Sequence, residues 1–368
     1  MNDDVDRLRL VRTEGVGPIT YRRLLDRFRS PAEALDALPG LARAGGRAAP
    51  LRIPKPADAE RELAKLAKFG ARLVFLGSPD YPPLLAQTEA PPPAFAVRGN
   101  IAALTDRCVA LVGARNASTN GKHMAELLAY DLASTGLVVV SGMARGIDTS
   151  AHTGALRAGM TVAAIAGGID VAYPSENAAL QDRVAESGAV VAEAPFGTAP
   201  QARHFPRRNR VIAGLSMAVI VVEAAPRSGS LITARFAAEM GRELFAVPGS
   251  PLDPRCRGSN DLLRSGAHLV ESASDVLANL PEHLVSPRQT SLAEVSEAGS
   301  RYEEAPVDVD RARRLILENL SPDPTEVDDL VRRCQLSASA AVAALLELEL
   351  GGRVEMLPGN KACLVGSP

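Results

Sequence analysis

Val138-Val139-Val140-Ser141-Gly142-Met143-Ala144-Arg145-Gly146-Ile147-Asp148 decides how this chain folds. Consecutive β-branched residues with no polar alternation make a strand that must be covered on both faces. The small, glycine-punctuated turn after it frees backbone N–H groups, and a helical pattern follows over Ser150–Ala158. Asp148 at the helix start reads first as an N-cap or a steadying carboxylate for the turn. The same alternation runs outward in both directions. Strands are predicted at Arg72–Leu76, Ala94–Val97, Cys108–Val112, Val138–Val140, Thr161–Ile165, Ala189–Ala192, Ala218–Val222, Leu244–Val247 and His268–Val270. Helices are predicted near Gly121–Ser134, Ser150–Ala158, Asn177–Ser187, Arg207–Leu215, Leu231–Met240 and Asp261–Ser265. Alternating strands and helices predict an α/β fold with a Rossmann-like, doubly wound, mostly parallel sheet. Ligands of such sheets bind beyond the carboxyl ends of the strands, so the loops there carry the function.

Two smaller units flank this one. Residues 1–56 read as a helical unit and its linker. Leu8, Leu10 and Val11 begin an apolar face, Gly15-Val16-Gly17-Pro18 breaks it, and Tyr21, Leu24, Leu25 and Phe28 resume at helical spacing. Helix, glycine turn, helix is a helix-hairpin-helix pattern, which serves either DNA phosphates or packing alone. Ala42 to Pro56 reads as a linker, and the sheet unit spans 57–280. Residues 281–308 lack periodicity and read as a flexible linker. Residues 309–368 hold helical patterns at Arg311–Asn319, Thr325–Cys334 and Ser337–Leu350, then a Gly351-Gly352 turn between short strands. That is a winged helix-turn-helix. Its third helix carries Glu347, Glu349 and no basic residue, which argues against strong duplex binding.

Composition sets the limits. The chain has 368 residues and a formal net charge of −2, so any polyanion site must be a local cluster. Residues 1–80 carry net +4, the middle of the chain is balanced, and residues 281–368 carry net −6. Apolar runs are strand-length, so no membrane span is expected. The acidic, polar start predicts no secretory signal and a cytoplasmic protein. Four scattered cysteines and five histidines lack metal-ligand spacing, so no metal is expected.

Four loops follow strands of the central unit. The first, Val112 to Asn116, offers Gly113 and Arg115. The second is the quoted turn, with Ser141, Gly142, Arg145 and Gly146 forming an anion nest at a helix start. The third, Gln201 to Arg210, holds Arg203, His204, Phe205, Arg207, Arg208, Asn209 and Arg210 without a carboxylate. Pro206 is predicted at the first helical position. Arginines in a first helical turn oppose the helix dipole unless an anion binds there. Phe205 among them can stack a base, or lie in the core. The fourth is Arg227-Ser228-Gly229-Ser230. No G-x-G-x-x-G, no P-loop and no G-x-S-x-G is present, so no cofactor or catalytic constellation is predicted.

These residues resemble the DNA-processing protein A (DprA/Smf) family. The turn Ser141 to Asp148 followed by His152 is similar to one family signature, and His204 to Ser216 to a second. Ser228-Gly229-Ser230-Leu231-Ile232-Thr233-Ala234, Val247-Pro248-Gly249 and Gly258-Ser259-Asn260 continue the series in order. The flanking units resemble the family's sterile-alpha-motif-like N-terminal region and its winged-helix (DML1-like) C-terminal region. One departure is Ala202, where relatives carry a lysine; Arg203 stands next to it.

The resemblance implies a non-enzymatic single-stranded-DNA-binding protein of natural transformation. It protects incoming strands, helps load the RecA recombinase and dimerises through the Rossmann-like unit. DNA contacts are implied at Gly113, Arg115, Ser141, Gly142, Arg145, Gly146, Arg203, Phe205, Arg207, Arg208, Asn209, Arg210, Ser228, Gly229 and Ser230. Leu262, Leu263 and Leu269 offer an apolar dimer patch, and duplex binding is expected to be weak. The alternative is a nucleotide phosphoribohydrolase-like enzyme, for which Gly167-Gly168 and Pro248-Gly249 approach but do not match the P-G-G-x-G-T loop. A third reading is a scaffold that binds a partner protein and no DNA.

Overall fold

The computed structural model of the chain describes residues 2–280 and 308–365. The linker expected over 281–308 thus lies outside the described residues, apart from Asp308. Nine strands form one sheet: β1 Ala71–Phe75, β2 Ala94–Gly99, β3 Cys108–Val112, β4 Val138–Ser141, β5 Thr161–Ile165, β6 Ala189–Ala192, β7 Ala218–Val221, β8 Glu243–Ala246 and β9 His268–Leu269. Their order is β1-β2-β6-β5-β4-β3-β7-β8-β9. From β6 to β9 all neighbours are parallel; β1–β2 and β2–β6 are antiparallel. The fold is therefore α/β with a mostly parallel central sheet.

Every residue of β3, β4, β5, β6 and β7 is buried. Because side chains alternate along a strand, each central strand feeds two cores. In β3, Cys108, Ala110 and Val112 join the core on one face, while Val109 and Leu111 join that on the other. The first face is covered by helices His204–Leu215 and Gly229–Glu239, through Val211, Ile212, Ala234 and Ala237. The second is covered by Thr119–Ser134 and Ile147–Ala155, through Ala125, Leu128, Leu132 and Ala151. Each such fully buried valine or leucine contributes about 1.5–3 kcal/mol. The two-sided covering explains why these strands show no polar alternation.

Glu62–Arg288 form one compact unit, and Met1–Arg61 join Gln289–Pro368 in another. The two ends read separately from the sequence thus pack together. Helices Asn2–Val11, Pro18–Arg27 and Pro31–Ala44 precede a further helix, Pro56–Lys68, absent from the sequence reading. The winged part has helices Val309–Asn319, Val327–Cys334 and Ala338–Leu350. Its sheet holds β10 Thr325–Glu326, β11 Val354–Leu357 and β12 Lys361–Leu364, in the order β10-β12-β11.

The third winged helix, Ala338–Leu350, buries eight of its thirteen residues. One side meets Ala312 and Ile316, and Ile19 of the N-terminal helices joins the same core. Gly45 lies against it so closely that a Cβ there would sit 1.7 Å from the Glu347 carbonyl oxygen. A helix apolar all round is a buried helix. This one is spent on packing. Glu347 pairs with Arg313 at its end.

Glu349 is enclosed beside Thr20 and Arg23, and burial pushes its carboxyl up to about 7 although both neighbours pull it down. The folded chain therefore binds this proton more tightly than the unfolded chain. That stabilisation is full below the ordinary value of 4.5 and is lost as pH rises through about 7. Unfolding stability in urea should fall by up to about 3 kcal/mol from this group between about pH 5 and about pH 8. Glu349→Gln should flatten that part of the profile. Parallel profiles for wild type and variant would refute the assignment.

Candidate nucleic-acid interface

The chain leaves β3 outward through β4, β5 and β6, then returns to β7 on the other side of β3. The carboxyl ends of β3 and β7 therefore bound a topological switch point, where two loops diverge and leave a crevice. A cleft of about 580 Å³ opens there. Its walls are residues 112–116 after β3, Ala144 and Asp148 of the glycine turn, one face of the His204–Leu215 helix, residues 225–230 after β7, and Arg255.

A buried ion pair forms the floor. Arg208 Nη1 lies 3.7 Å from Asp148 Oδ2, and both side chains are under a tenth exposed. Asp148 also accepts the Ala144 N–H at 3.2 Å. Burial pushes the Asp148 carboxyl up, with Arg208 opposing the shift, and lowers Arg208. Gly142 makes room for the pair: a Cβ there would fall 1.3 Å from Arg208 Nη1. Arg208 Nε is buried without a hydrogen-bond partner. His152, fully buried nearby, is held down to about 3 by burial first and Arg208 second, so it is neutral. Thr161 Oγ1 donates to the Val139 carbonyl, so the 2.8 Å contact with His152 Nδ1 makes that nitrogen the donor.

The rim is more open. Arg115 is exposed, with its guanidinium 4.9 Å over the Phe205 ring, and Arg208 approaches that ring at 5.8 Å. Such contacts contribute about 0.5–1 kcal/mol at exposed sites. Tyr173 meets Phe205 edge-to-face, with ring centroids 5.9 Å apart. Across the cleft, Ser228 caps the Gly229–Glu239 helix and its hydroxyl lies 2.8 Å from that of Ser230. Asn209 ties the walls together by donating to the Gly229 carbonyl at 3.0 Å. Arg227 at φ +66 and Met143 at φ +60 hold left-handed backbone in the turns after β7 and β4, at a cost of roughly 1–2 kcal/mol each. Ser228 and Ser230 use their N–H groups within the turn, on the Ala225 carbonyl and the Ser228 hydroxyl, which leaves the Gly229 N–H beside the guanidinium groups for a phosphate.

The structure brings together Gly113, Arg115, Phe205, Arg208, Asn209, Ser228, Gly229 and Ser230 on one cleft. Gly142 and Gly146 lie behind it. Other positions fall elsewhere. Ser141 is fully buried and gives its hydroxyl to the Leu111 carbonyl at 2.7 Å, so it braces β4 to β3. Arg145 turns away into a two-bond pair with Glu176 at 2.7 Å. Arg210 faces Glu193 at 3.7 Å. Arg203 and Arg207 are exposed beside the cleft and not in its wall. Their helix starts at His204, so Pro206 is its third residue instead of the first, still among the N–H groups a helix leaves unbonded. Burial, Arg203 and Arg207 hold the His204 pKa down, so it adds no charge. The sequence reading left out Tyr173 and Arg255, and it gave Arg227 no contact. Arg255 comes from a distant turn and is bound by Asp253, whose carboxyl it draws down to about 2.

Of the three leucines expected to form a dimer patch, Leu269 is half exposed on β9, the edge strand of the sheet. Leu262 instead packs inward against the sheet core, because its helix turns that side to β8, and Leu263 is partly buried. Among the described residues, no group of three or more His, Cys, Asp or Glu could hold a metal, and no helix is long and apolar enough to cross a membrane.

Fold and cleft define a Rossmann-like α/β protein with an arginine-rich crevice at the switch point of its sheet. Residues 72–281 match the family model described as DNA recombination-mediator protein A. Residues 1–64 match a DprA-like N-terminal HHH domain, and residues 301–360 a DprA winged helix domain. Protein Smf of Escherichia coli is 38% identical over 305 residues, covering 82% of this chain and 79% of that protein. The X-ray structure of DNA processing protein A from Streptococcus pneumoniae aligns at TM-score 0.65 and 35% identity, over 76% of this chain and 98% of that one. DNA processing protein A from Helicobacter pylori, solved for its single-stranded DNA binding mode, aligns at TM-score 0.52 and 28% identity, over 57% and 96%. The chain belongs to the DprA/Smf family.

Proposed function

We propose that the cleft binds single-stranded DNA during natural transformation, protects the strand and presents it to a RecA-type recombinase. The observation that carries this reading is Arg115. It is an exposed guanidinium with no ion-pair partner among the described residues, lying over an aromatic ring at the mouth of a switch-point crevice. Phosphates bind Arg115, Arg227 and the Gly229 N–H at the helix start, with Arg207 alongside, while Phe205 stacks a base. Duplex bases are already stacked and paired, so this arrangement favours unpaired strands. The single-stranded DNA binding described for the Helicobacter pylori relative supports the same reading. The protein works by holding its ligand, as one of a pair of copies joined through the sheet unit near the exposed Leu269. Two linked sites raise avidity on long strands. The buried winged helix supports weak duplex binding.

Fluorescence anisotropy with labelled oligo-dT and labelled duplex tests this. Oligo-dT should bind more tightly. Arg115→Ala should weaken it about tenfold and reduce the log–log salt slope by about 0.7, one phosphate's worth on a single strand. Arg207→Ala should change the slope less, since it lies outside the cleft wall. If neither variant changes affinity or slope, the cleft is not the DNA site. Release of free base from nucleoside monophosphates would instead favour the phosphoribohydrolase alternative.

A further inference from the structure

Tyr173 has no place in the cleft wall, yet it is one of the few large apolar side chains left open, at 50% exposure. The chain has only five Tyr, eight Phe and no Trp, so an exposed ring stands out. It adjoins Phe205, with centroids 5.9 Å apart and ring planes crossing at 63°. Phe205 is the only aromatic ring it touches among the described residues. The Phe205 ring itself carries Arg115 over it.

We propose that Tyr173 is a second base-stacking position, which with Phe205 makes a two-ring step that takes successive bases of a single strand. The inference rests on the single-stranded-DNA reading above and deepens it. The geometry supplies the selectivity. Bases in a duplex follow one another at about 3.4 Å in near-parallel planes. Rings 5.9 Å apart and turned by 63° hold two bases that have left that stack. A strand already unstacked meets no such cost, so the step discriminates by strand conformation without reading sequence. Arg115 moves from the Phe205 ring to the phosphate between the two bases. The step then releases an aromatic surface as it gains an ion pair.

The test uses the full chain and oligo-dT. Tyr173→Ala should weaken oligo-dT binding about tenfold with an unchanged salt slope, because a stacked base and no phosphate contact is lost. Tyr173→Phe should restore the affinity to within about twofold. Tyr173→Ala/Phe205→Ala should bind about tenfold more weakly than Phe205→Ala alone, since two bases have separate platforms. The absence of tryptophan makes Tyr173→Trp the only indole of the chain, and oligo-dT should quench it. If the double variant binds no worse than Phe205→Ala, Tyr173 merely props Phe205 and the proposal fails. Indole fluorescence of Tyr173→Trp that stays unquenched at saturating oligo-dT also overturns it. If Phe205→Ala and Arg115→Ala weaken binding while Tyr173→Ala does not, only the second platform falls. If the wild type ignores oligo-dT, the DNA reading falls with it.

Discussion

Arg208→Ala should lower the unfolding free energy by about 3–5 kcal/mol and abolish oligo-dT binding. The cost follows from what is left behind. Asp148 is 6% exposed, and its compensating charge is the guanidinium 3.7 Å away. Removing one partner of a buried pair strands the other charge, whereas removing both leaves a neutral, poorly packed gap. Arg208→Ala/Asp148→Asn should therefore recover more than half of the lost stability while binding stays impaired. Urea unfolding of both variants separates the terms. A loss below about 1 kcal/mol for the single variant would mean that the pair does not hold the cleft floor. Gly142→Ala should resemble the single variant in a milder form, because its methyl group would occupy the guanidinium position.

Gly146→Ala is expected to cost about 3 kcal/mol or more, and to weaken oligo-dT binding beyond tenfold. Gly146 sits at φ +78 and ψ −121, backbone that only glycine adopts without strain. Its missing Cβ would also meet the Ala114 and Arg115 carbonyl oxygens at 2.4 and 2.6 Å. Neither oxygen can yield without moving the loop that carries Arg115, so the stability and binding losses share one cause. Gly197→Ala is the comparison. It has nearly the same φ, +79, and nothing within 4 Å of an added Cβ. It should cost about 1–2 kcal/mol and leave binding intact. Equal losses at the two positions would show that backbone strain alone matters, and that the loop contact does not.

The nine strands and the six helices between them lie where runs of Val, Ala, Ile and Leu and helical spacing put them. Their ends shift by a few residues, as at His204 and Thr119, where capping and local packing decide. Pro56–Lys68 was missed because only Ala59 and Leu66 of its thirteen residues are buried, too sparse a stripe to read. The ordered motifs placed the family. The arginine run, however, reads as four equivalent cations.

Folding makes those arginines different. Successive helical residues point about 100° apart, so Arg207 faces solvent while Arg208 enters the floor and meets Asp148. Glu176 lies 31 residues from Arg145 and neutralises it, and Arg255 reaches the cleft from a segment far along the chain. Periodicity and steric preference act over a few neighbouring residues, so strands, helices and glycine turns are written locally. Which charge is compensated depends on what lies within a few ångströms through space. Only the assembled sheet, with β7 returned beside β3, brings those partners into range and leaves Arg115 and Tyr173 exposed with Phe205 between them.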